Sequence, residues 1–424
     1  MQRLSANDLT MLATDKGQVP MNIAAVLEFA GVADADAFVQ TLAGRLMQIP
    51  RMRQRLLRPG FGSGPPLWVD ADNIEVAGHV HATRLPPTVL VCRRLDPDRP
   101  LWALYWSADG PAVTVVIVIH HVLADGMGGL AALGALVDGV SIPQVPRTPP
   151  PDPRQLRVDA HGRRIAALKR VPQSVREMAA GAREMGLTAA RPKLLPTSSI
   201  LQPTSPAREL RVVDADLAAV VAAAHREAVT VNDLILAAVA GCLEQLLATR
   251  GEHPPEVVIS VPVSGRQDGA DVGNEVGAVP IAVPTGLSRE QRLRHIHRAM
   301  GRAKAEQRGS SAAVLGLVFR TLAAVGVGNY FVNHQRLVHT FETNLRGPST
   351  ALVISGTTLK RIVPIAINPG NVGVSFDVLS YAGRLTISVV ACPRTVPEID
   401  WVAQTLRAEL DALCDGDAAG HGRG

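Results

Sequence analysis

The most regular hydrophobic pattern in the chain is a continuous β-branched run from Val115 to Ile119, which ends in a pair of histidines. A short, uninterrupted apolar run of this kind predicts a strand that is buried on both faces. A Gly-rich turn follows, and Met127 to Val137 is apolar on nearly every side, which predicts a buried helix. The pattern therefore places His120 and His121 at the end of a buried strand.

Helical and strand-like patterns alternate before this strand. LSANDLTML at 4–12 predicts a helical turn with Ser5 as its cap. Residues 20–29 and Val76 to Leu85 predict strands, and helical spacing runs from Asp34 to Leu57.

Composition changes at residue 142. IPQVPRTPPPDP (142–153) has too many prolines for a helix or a central strand, 154–188 predicts an exposed basic helix, and 191–206 is again a Pro- and Ser-rich loop. We therefore divide the chain into an N-terminal subdomain (1–141), a crossover linker (142–206), a C-terminal subdomain (207–415) and a disordered tail (416–424).

Alternation resumes beyond residue 206. Predicted strands are RELRVV at 208–213, Val257 to Val263, AVPIAVP at 278–284, Leu337 to Asn344, Leu352 to Leu359, Val372 to Leu379 and Leu385 to Cys392. Predicted helices are Asp214 to Glu227, the stretch LILAAVAGCLEQLL at 234–247, Leu287 to Gln307, the very apolar Ala312 to Val332, and Glu398 to Leu413. Because strands and helices alternate in both halves, the fold class is mixed α/β (α+β).

Composition narrows the functional classes. A chain of 424 residues with 47% apolar residues predicts two domains with large cores. Only 3% of residues are aromatic and no basic run contains interspersed aromatics, so nucleic acid is not an expected partner. The net charge of +5 suits an anionic membrane surface or a phosphorylated co-substrate such as CoA, and also an ordinary Arg-rich composition.

The cysteines indicate the compartment. Four scattered cysteines without a C-x-x-C pair predict neither a zinc site nor a disulfide framework, and they fit a reducing cytoplasm. The N-terminal residues lack the apolar core of a signal peptide, and no apolar run reaches about 18 residues. We expect a cytoplasmic protein whose membrane contact, if any, is peripheral.

The histidine pair suggests acid–base chemistry. A histidine can act as a general base near neutral pH when a neighbouring group fixes its ring and tautomer. Asp125 can do so directly or through an arginine, and Gly126 allows the turn to fold tightly. The alternative is that both histidines are structural residues at a strand end.

The segment HHVLADG (120–126) matches the HHxxxDG signature of the acyl-CoA-dependent acyltransferase superfamily. Further stretches resemble the wax ester synthase/diacylglycerol acyltransferase family, in that family's order over nearly the whole chain. They are LSANDLTML, PMNIAAVLEF, PPLWVD, DRPLW, TVNDLILAAVAGCL, VPVSGR with GNEVGA, TNLRGPST and SYAGRL. The chain departs from the family pattern at Asn22, usually His, and at Thr343 and Arg346, where the family has Ser and Pro.

The resemblance implies two chloramphenicol-acetyltransferase-like subdomains with an active-site tunnel at their interface. It implies His121 as general base, structural roles for His120 and Asp125, and Arg266 as a partner for Asp125. Asn232 would serve the oxyanion or the acceptor, or cap a helix. Supporting or substrate-binding residues would be Asp15, Asp233, Arg266, Asn274 and Asn344, although for Asp15 the interpretation as an ordinary loop residue is favoured.

The implied reaction transfers a fatty acyl group from acyl-CoA to a lipid alcohol, either diacylglycerol or a long-chain fatty alcohol. The product would be triacylglycerol or wax ester. Acyl-CoA is then a co-substrate, and no bound cofactor or metal is expected. The protein would be cytoplasmic, either free or peripheral to the inner membrane face or lipid droplets.

Two alternatives stay open. One is a superfamily enzyme that uses carrier-protein-bound donors or a different hydroxyl or amine acceptor. The other is a non-catalytic lipid-binding homologue. The apolar stretch 312–332 is core, which we favour, or it lines an acyl tunnel or lies against a membrane. The basic residues Arg163, Arg164, Lys169 and Arg170 either meet CoA phosphates or form a solvated face.

Overall fold

The computed structural model describes residues 1–15, 17–72, 74–143, 145–147, 149–166, 194–264, 276–306, 328–367 and 370–415. Its strands form two six-stranded sheets and one three-stranded sheet, with helices packed against them. The mixed α/β class predicted from the sequence is confirmed.

The described strands are β1 (Gln2–Arg3), β2 (Asn22–Phe29), β3 (Gln54–Leu57), β4 (Leu67–Asp70), β5 (Val80–Ala82), β6 (Trp102–Asp109), β7 (Ala112–His120), β8 (Glu209–Asp216), β9 (Glu256–Ser264), β10 (Val276–Pro284), β11 (Thr340–Arg346), β12 (Val353–Ile354), β13 (Thr357–Ala366), β14 (Val374–Tyr381) and β15 (Arg384–Ala391). The described helices are α1 (Ala6–Thr14), α2 (Ala35–Gln48), α3 (Pro87–Val91), α4 (Gly126–Gly134), α5 (153–166), α6 (Leu217–Arg226), α7 (Val231–Thr249), α8 (Arg289–Glu306), α9 (Gly328–Asn333) and α10 (Ile399–Asp415).

The first sheet has the order β12-β13-β2-β7-β6-β5 and contains the strand predicted to end in the histidine pair. Val115 in β7 packs into a core with α2, whereas Val116 and Val118 pack on the opposite face of the sheet. Burial on both faces explains why this strand is a continuous apolar run rather than an alternating one.

The second sheet has the order β10-β9-β11-β14-β15-β8. Helices α7 and α10 pack on it around a core rich in aliphatic side chains. By length and apolar composition α7 passes as a membrane span, but 72% of its most apolar window is buried inside the protein. Such burial is typical of a core helix.

Helix α5 packs against the small sheet, whose strand order is β1-β4-β3. Arg3 joins the two, because its guanidinium donates to the carbonyls of Pro65 and Leu156 and to the carboxylate of Asp159. Leu156 also packs against the sheet. The first helix of the predicted crossover is thus attached to the N-terminal half.

Strand β13 crosses from the C-terminal half into the first sheet, where it pairs antiparallel with β2. It is preceded by a two-residue turn, Ser355-Gly356, with positive φ at both residues (49° and 72°). Both turn amides donate to the carboxylate of Asp138 in the N-terminal half. Residues 353–366, which follow the predicted boundary at 207, thus form part of the first sheet, and the domain division stays a prediction.

Several local predictions were wrong. The helix predicted as buried over Met127 to Val137 ends at Gly134, and Met127 is 43% exposed. Helical spacing from Asp34 to Leu57 covers α2, a 3₁₀ turn at Pro50–Arg53 and strand β3, because Pro50 ends the helix. The strand predicted from Val76 to Leu85 is a 3₁₀ turn followed by three strand residues. The helix predicted from Asp214 starts at Leu217, because Asp216 caps it and Asp214 still lies in β8.

Candidate functional site

The histidine pair lies at the C-terminal end of β7, an inner strand of the first sheet. His120 is its last residue, opposite Asn22 of β2, and the backbone N–H of His121 donates to Met21 O at 2.7 Å. The chain then turns sharply, since Leu123 N–H donates to His120 O at 2.8 Å.

Both ring nitrogens of His120 are occupied by hydrogen bonds. Its Nδ1 accepts the backbone N–H of Val122 at 3.1 Å, so the ring hydrogen lies on Nε2, which donates to Asp15 Oδ2 at 3.1 Å. The side chain is buried, with 6% of its surface exposed. His121 is only partly buried. The two histidines thus have different environments.

Asp15 is a structural partner of the histidine pair rather than an ordinary loop residue. It ends helix α1, and its Oδ1 accepts Met21 N–H at 2.9 Å. Burial would raise the pKa of Asp15, but the hydrogen bonds from His120 and the Met21 amide, together with the charge of Arg94, hold the pKa below its usual 3.8. Asp15 is therefore a carboxylate that fixes the ring of His120.

Arg94 and Asn22 support this arrangement, and sequence reasoning did not assign either role. Arg94 contacts Asp15 Oδ1 at 3.4 Å and donates to the carbonyl of Gly17. The fully buried Asn22, where the family usually has His, donates through Nδ2 to the carbonyls of Val91 and Arg93. No local pattern signals either contact, because both join distant segments.

Asp125 caps helix α4. Its carboxylate accepts the N–H of Gly128 at 2.8 Å, which is typical N-cap chemistry. A Cβ at Gly126 would lie 2.9 Å from Leu345 Cδ1 of β11, so the glycine permits close approach of the second sheet. Arg266, predicted as the partner of Asp125, lies outside the described residues, as does Asn274.

The Asn-Asp motif lies at the start of α7. Asn232 was considered as the cap, but Thr230 is the N-cap, and it forms a capping box with Asp233. Asp233 is buried, and its carboxylate also contacts Nδ1 of His297 at 2.9 Å. Asn232 is therefore available for a different contact.

That contact is with Asn344 of β11, whose Nδ2 donates to Asn232 Oδ1 at 2.8 Å. The next residue, Leu345, touches Gly126. A continuous series of contacts thus joins the turn after the histidine pair to the start of α7. The structure brings together residues from both halves that the sequence indicated separately.

A pair of buried carboxyl groups lies next to Asn344 along the sheet. Burial, and then the charge of Asp377, raise the pKa of Glu342 to about 8. Burial raises the pKa of Asp377 to about 7, although the Ala366 N–H (2.8 Å) and the Thr343 hydroxyl (3.0 Å) both donate to its carboxylate. Neither Glu342 oxygen has a hydrogen-bond partner among the described residues. Sequence reasoning missed both groups.

The remaining departures from the family pattern fall near this pair. Thr343 keeps a hydroxyl where the family has Ser, and that hydroxyl bonds to Asp377. Arg346 is exposed at the end of β11.

The stretch 312–332 lies mostly outside the described residues, as do Lys169 and Arg170.

Family models match most of the chain. The model of the wax ester synthase/diacylglycerol acyltransferase catalytic domain matches residues 4–235, and the WS/DGAT C-terminal domain model matches residues 272–414. The chain belongs to the wax ester synthase/diacylglycerol acyltransferase family. The resemblance is therefore confirmed, and the protein is an acyltransferase.

Relatives of this family align over most of the chain. A probable diacylglycerol O-acyltransferase of Mycobacterium tuberculosis is 30% identical over 88% of this chain and 87% of its own length. A putative diacylglycerol O-acyltransferase of the same species is 26% identical over 98% of this chain and 90% of its own length.

Solved structures share the fold. The wax ester synthase/diacylglycerol acyltransferase of Marinobacter aquaeolei VT8 superimposes with a TM-score of 0.66 at 20% identity, over 98% of this chain and all of that one. The first condensation domain of the calcium-dependent antibiotic synthetase gives 0.65 at 17% identity, over 98% of this chain and 96% of that domain. The architecture expected for this superfamily is thus confirmed.

Proposed function

We propose that the protein transfers a fatty acyl group from acyl-CoA to the hydroxyl of a lipid alcohol, with His121 as general base. The observation that carries this assignment is the difference between the two histidines. Both nitrogens of buried His120 are held by Val122 and Asp15, so His120 can take no further proton without losing a hydrogen bond. His121 follows the end of the strand and is partly exposed, so a substrate can reach it.

The chemistry needs a single base. His121 takes the proton of the acceptor hydroxyl while the oxygen attacks the thioester carbonyl carbon. The tetrahedral intermediate collapses as the carbon–sulfur bond breaks, and the CoA thiolate receives the proton from His121. One histidine thus serves as base and then as acid, and no covalent acyl-enzyme is required.

Asn232 is the proposed donor to the oxyanion or positioner of the acceptor. Asn344 donates to Oδ1 of Asn232, and this hydrogen bond fixes the orientation of the Asn232 amide. The Nδ2 group of Asn232 is then the proposed donor to the oxyanion. Burial at the contact between β11 and α4 would exclude water from this side of the site. The active-site tunnel and the roles of Arg266 and Asn274 stay predictions.

The substrates follow from the relatives. Diacylglycerol is the acceptor named for the mycobacterial proteins, and the Marinobacter structure is named for wax esters as well. We therefore propose acyl-CoA as co-substrate, and diacylglycerol or a long-chain alcohol as acceptor, with triacylglycerol or wax ester as product.

The decisive experiment measures CoA thiol release from palmitoyl-CoA with diacylglycerol, with hexadecanol and without acceptor. His121→Ala should reduce acceptor-dependent release by about 10²–10⁴-fold, and His253→Ala, an exposed histidine before β9, is the matched control. Mass spectrometry of the lipid product identifies the acceptor. Release that is unchanged in His121→Ala would refute the assigned base.

The same assay tests the alternatives. Turnover with carrier-protein-bound acyl groups but not with acyl-CoA would replace the proposed donor. Stoichiometric acyl-CoA binding without turnover would identify a lipid-binding homologue.

A further inference from the structure

Phe61 is the most exposed apolar side chain of the described chain, at 109% of its reference surface. It lies in the loop between β3 and β4, in the sequence Arg58-Pro-Gly-Phe-Gly-Ser-Gly-Pro. Gly62 and Gly64 both have positive φ, a conformation that side chains disfavour. The glycines therefore shape a turn that projects the phenyl ring into solvent.

The loop rests on helix α5. The guanidinium of Arg164 donates to the carbonyl of Gly62 at 2.9 Å, directly beside Phe61. At the base of the loop, Arg3 holds Pro65 and the helix together. Phe61 is thus presented on a supported turn rather than on a free chain.

Helix α5 turns a mixed apolar and basic face outward. Its buried positions are Leu156 and Ala160, and the helical repeat places Val158 and Ile165 opposite them. These two side chains are 67% and 43% exposed. Arg154 lies on the same face, about one turn before Val158, so a cationic group adjoins the apolar ones.

The charge of this region is strongly positive. Residues 153–166 contain four arginines and one aspartate, a formal net charge of +3, and Arg58 adds to it in the neighbouring loop. The single aspartate, Asp159, is already paired with Arg3 and Arg163. No acidic group of this helix therefore opposes an anionic partner.

We propose that the loop 58–64 and the outward face of α5 form a docking surface for an anionic phospholipid bilayer. Binding to a bilayer interface scales with the buried apolar area plus the electrostatic attraction to anionic lipids, and this surface offers both. A specific protein interface needs about 800 Å² per partner. Arginines beside the inserted side chains would contact lipid phosphates, and their contributions add. The surface is independent of the acyl-transfer chemistry, so either proposal can fail alone.

The test is co-sedimentation of the full chain with vesicles. One set contains phosphatidylglycerol in phosphatidylcholine, and the other contains phosphatidylcholine alone. The wild type should bind the anionic set, and binding should fall with added salt. Phe61→Ser should reduce the affinity for anionic vesicles about tenfold. The double variant Arg154→Gln with Arg157→Gln should reduce the affinity and also make it depend less on salt concentration.

Two controls match these variants. Leu85→Ser changes another exposed apolar residue, and Arg298→Gln with Arg302→Gln changes two exposed arginines of α8. Both should bind like the wild type. Equal binding by Phe61→Ser and the wild type, or no binding to anionic vesicles, overturns the proposal. A dimer that dissociates in Phe61→Ser, with no vesicle binding, would assign the surface to a second copy instead.

Discussion

His120 and Asp15 are 105 residues apart in the sequence and form a hydrogen bond of 3.1 Å that fixes the ring next to the proposed base. Asp15 uses one oxygen for His120 and the other for Met21 N–H. Asp15→Asn has only one carbonyl oxygen, so one of the two donors loses its acceptor. We expect a loss of about 1–3 kcal/mol in the free energy of unfolding and reduced acyl transfer.

Denaturant unfolding and CoA release measure these two effects. Asp98→Asn, an exposed aspartate near the same segment, is the control. Because the pKa of Asp15 is lowered, its contribution is present above about pH 3.8 and is lost as the pH falls below that value. Wild-type stability and activity in Asp15→Asn would show that the contact is dispensable.

Asp125 is expected to act through the helix it caps. Asp125→Ala should lower the free energy of unfolding by about 0.5–2 kcal/mol, whereas Asp125→Asn retains a capping oxygen and should recover most of it. Thermal or denaturant unfolding of both variants measures the difference. If Asn is as damaging as Ala, then the negative charge of Asp125 has a further function in the site.

Asn232 and Asn344 should be energetically coupled. In a double-mutant cycle with Asn232→Ala and Asn344→Ala, we expect a coupling of about 0.5–1.5 kcal/mol in stability. If the pair positions substrate, a coupling also appears in kcat/KM. Ser349→Ala, in the exposed loop after β11, should be additive with Asn232→Ala. Full additivity within the asparagine pair would mean that the bond contributes nothing measurable.

Glu342 should make stability decline with rising pH. Its carboxyl group is protonated in the folded protein up to about pH 8, but in the unfolded chain it ionises near 4.5. The folded state then holds the extra proton, so the free energy of unfolding decreases across this window. Asp377, with a pKa of about 7, acts in the same direction.

Glu342→Gln removes one of these titrations. We expect the variant to be more stable than the wild type at about pH 9 and to show a shallower decline between about pH 5 and pH 8. Denaturant unfolding across this range is the measurement, and the exposed Glu75→Gln is the control. An identical pH dependence for wild type and Glu342→Gln would contradict the raised pKa.

Local sequence patterns indicated which residues belong to the candidate site, but they did not indicate which residues form hydrogen bonds with one another. Strand β7 and its histidines were predictable, because burial on both faces leaves an unbroken β-branched run. The contact of Asp15 with His120 was not, since spacing carries no information about pairs so distant in sequence. Asn232 was considered as a cap because Asn is a good N-cap residue, yet Thr230 and Asp233 form the capping box.

The sequence also did not show to which sheet each strand belongs. The single strand predicted from Leu352 to Leu359 was wrong, because the turn at Ser355-Gly356 divides it into β12 and β13. Alternation suits either large sheet, and only the structure shows β13 beside β2. Strand β3 was missed because its arginine-rich stretch continues the helical spacing of α2. These two errors concern where an element lies or ends, whereas the strand predicted from Val76 to Leu85 was wrong in type over its 3₁₀ turn.

The position of β13 has a consequence for synthesis. During translation β2 emerges early, but the strand that covers its edge is made more than three hundred residues later. Until then the ribosome-bound chain displays an open edge of the first sheet, the kind of surface that invites pairing with other chains. We therefore expect that the two halves expressed separately are insoluble, whereas co-expressed fragments broken in the 142–153 segment reassemble.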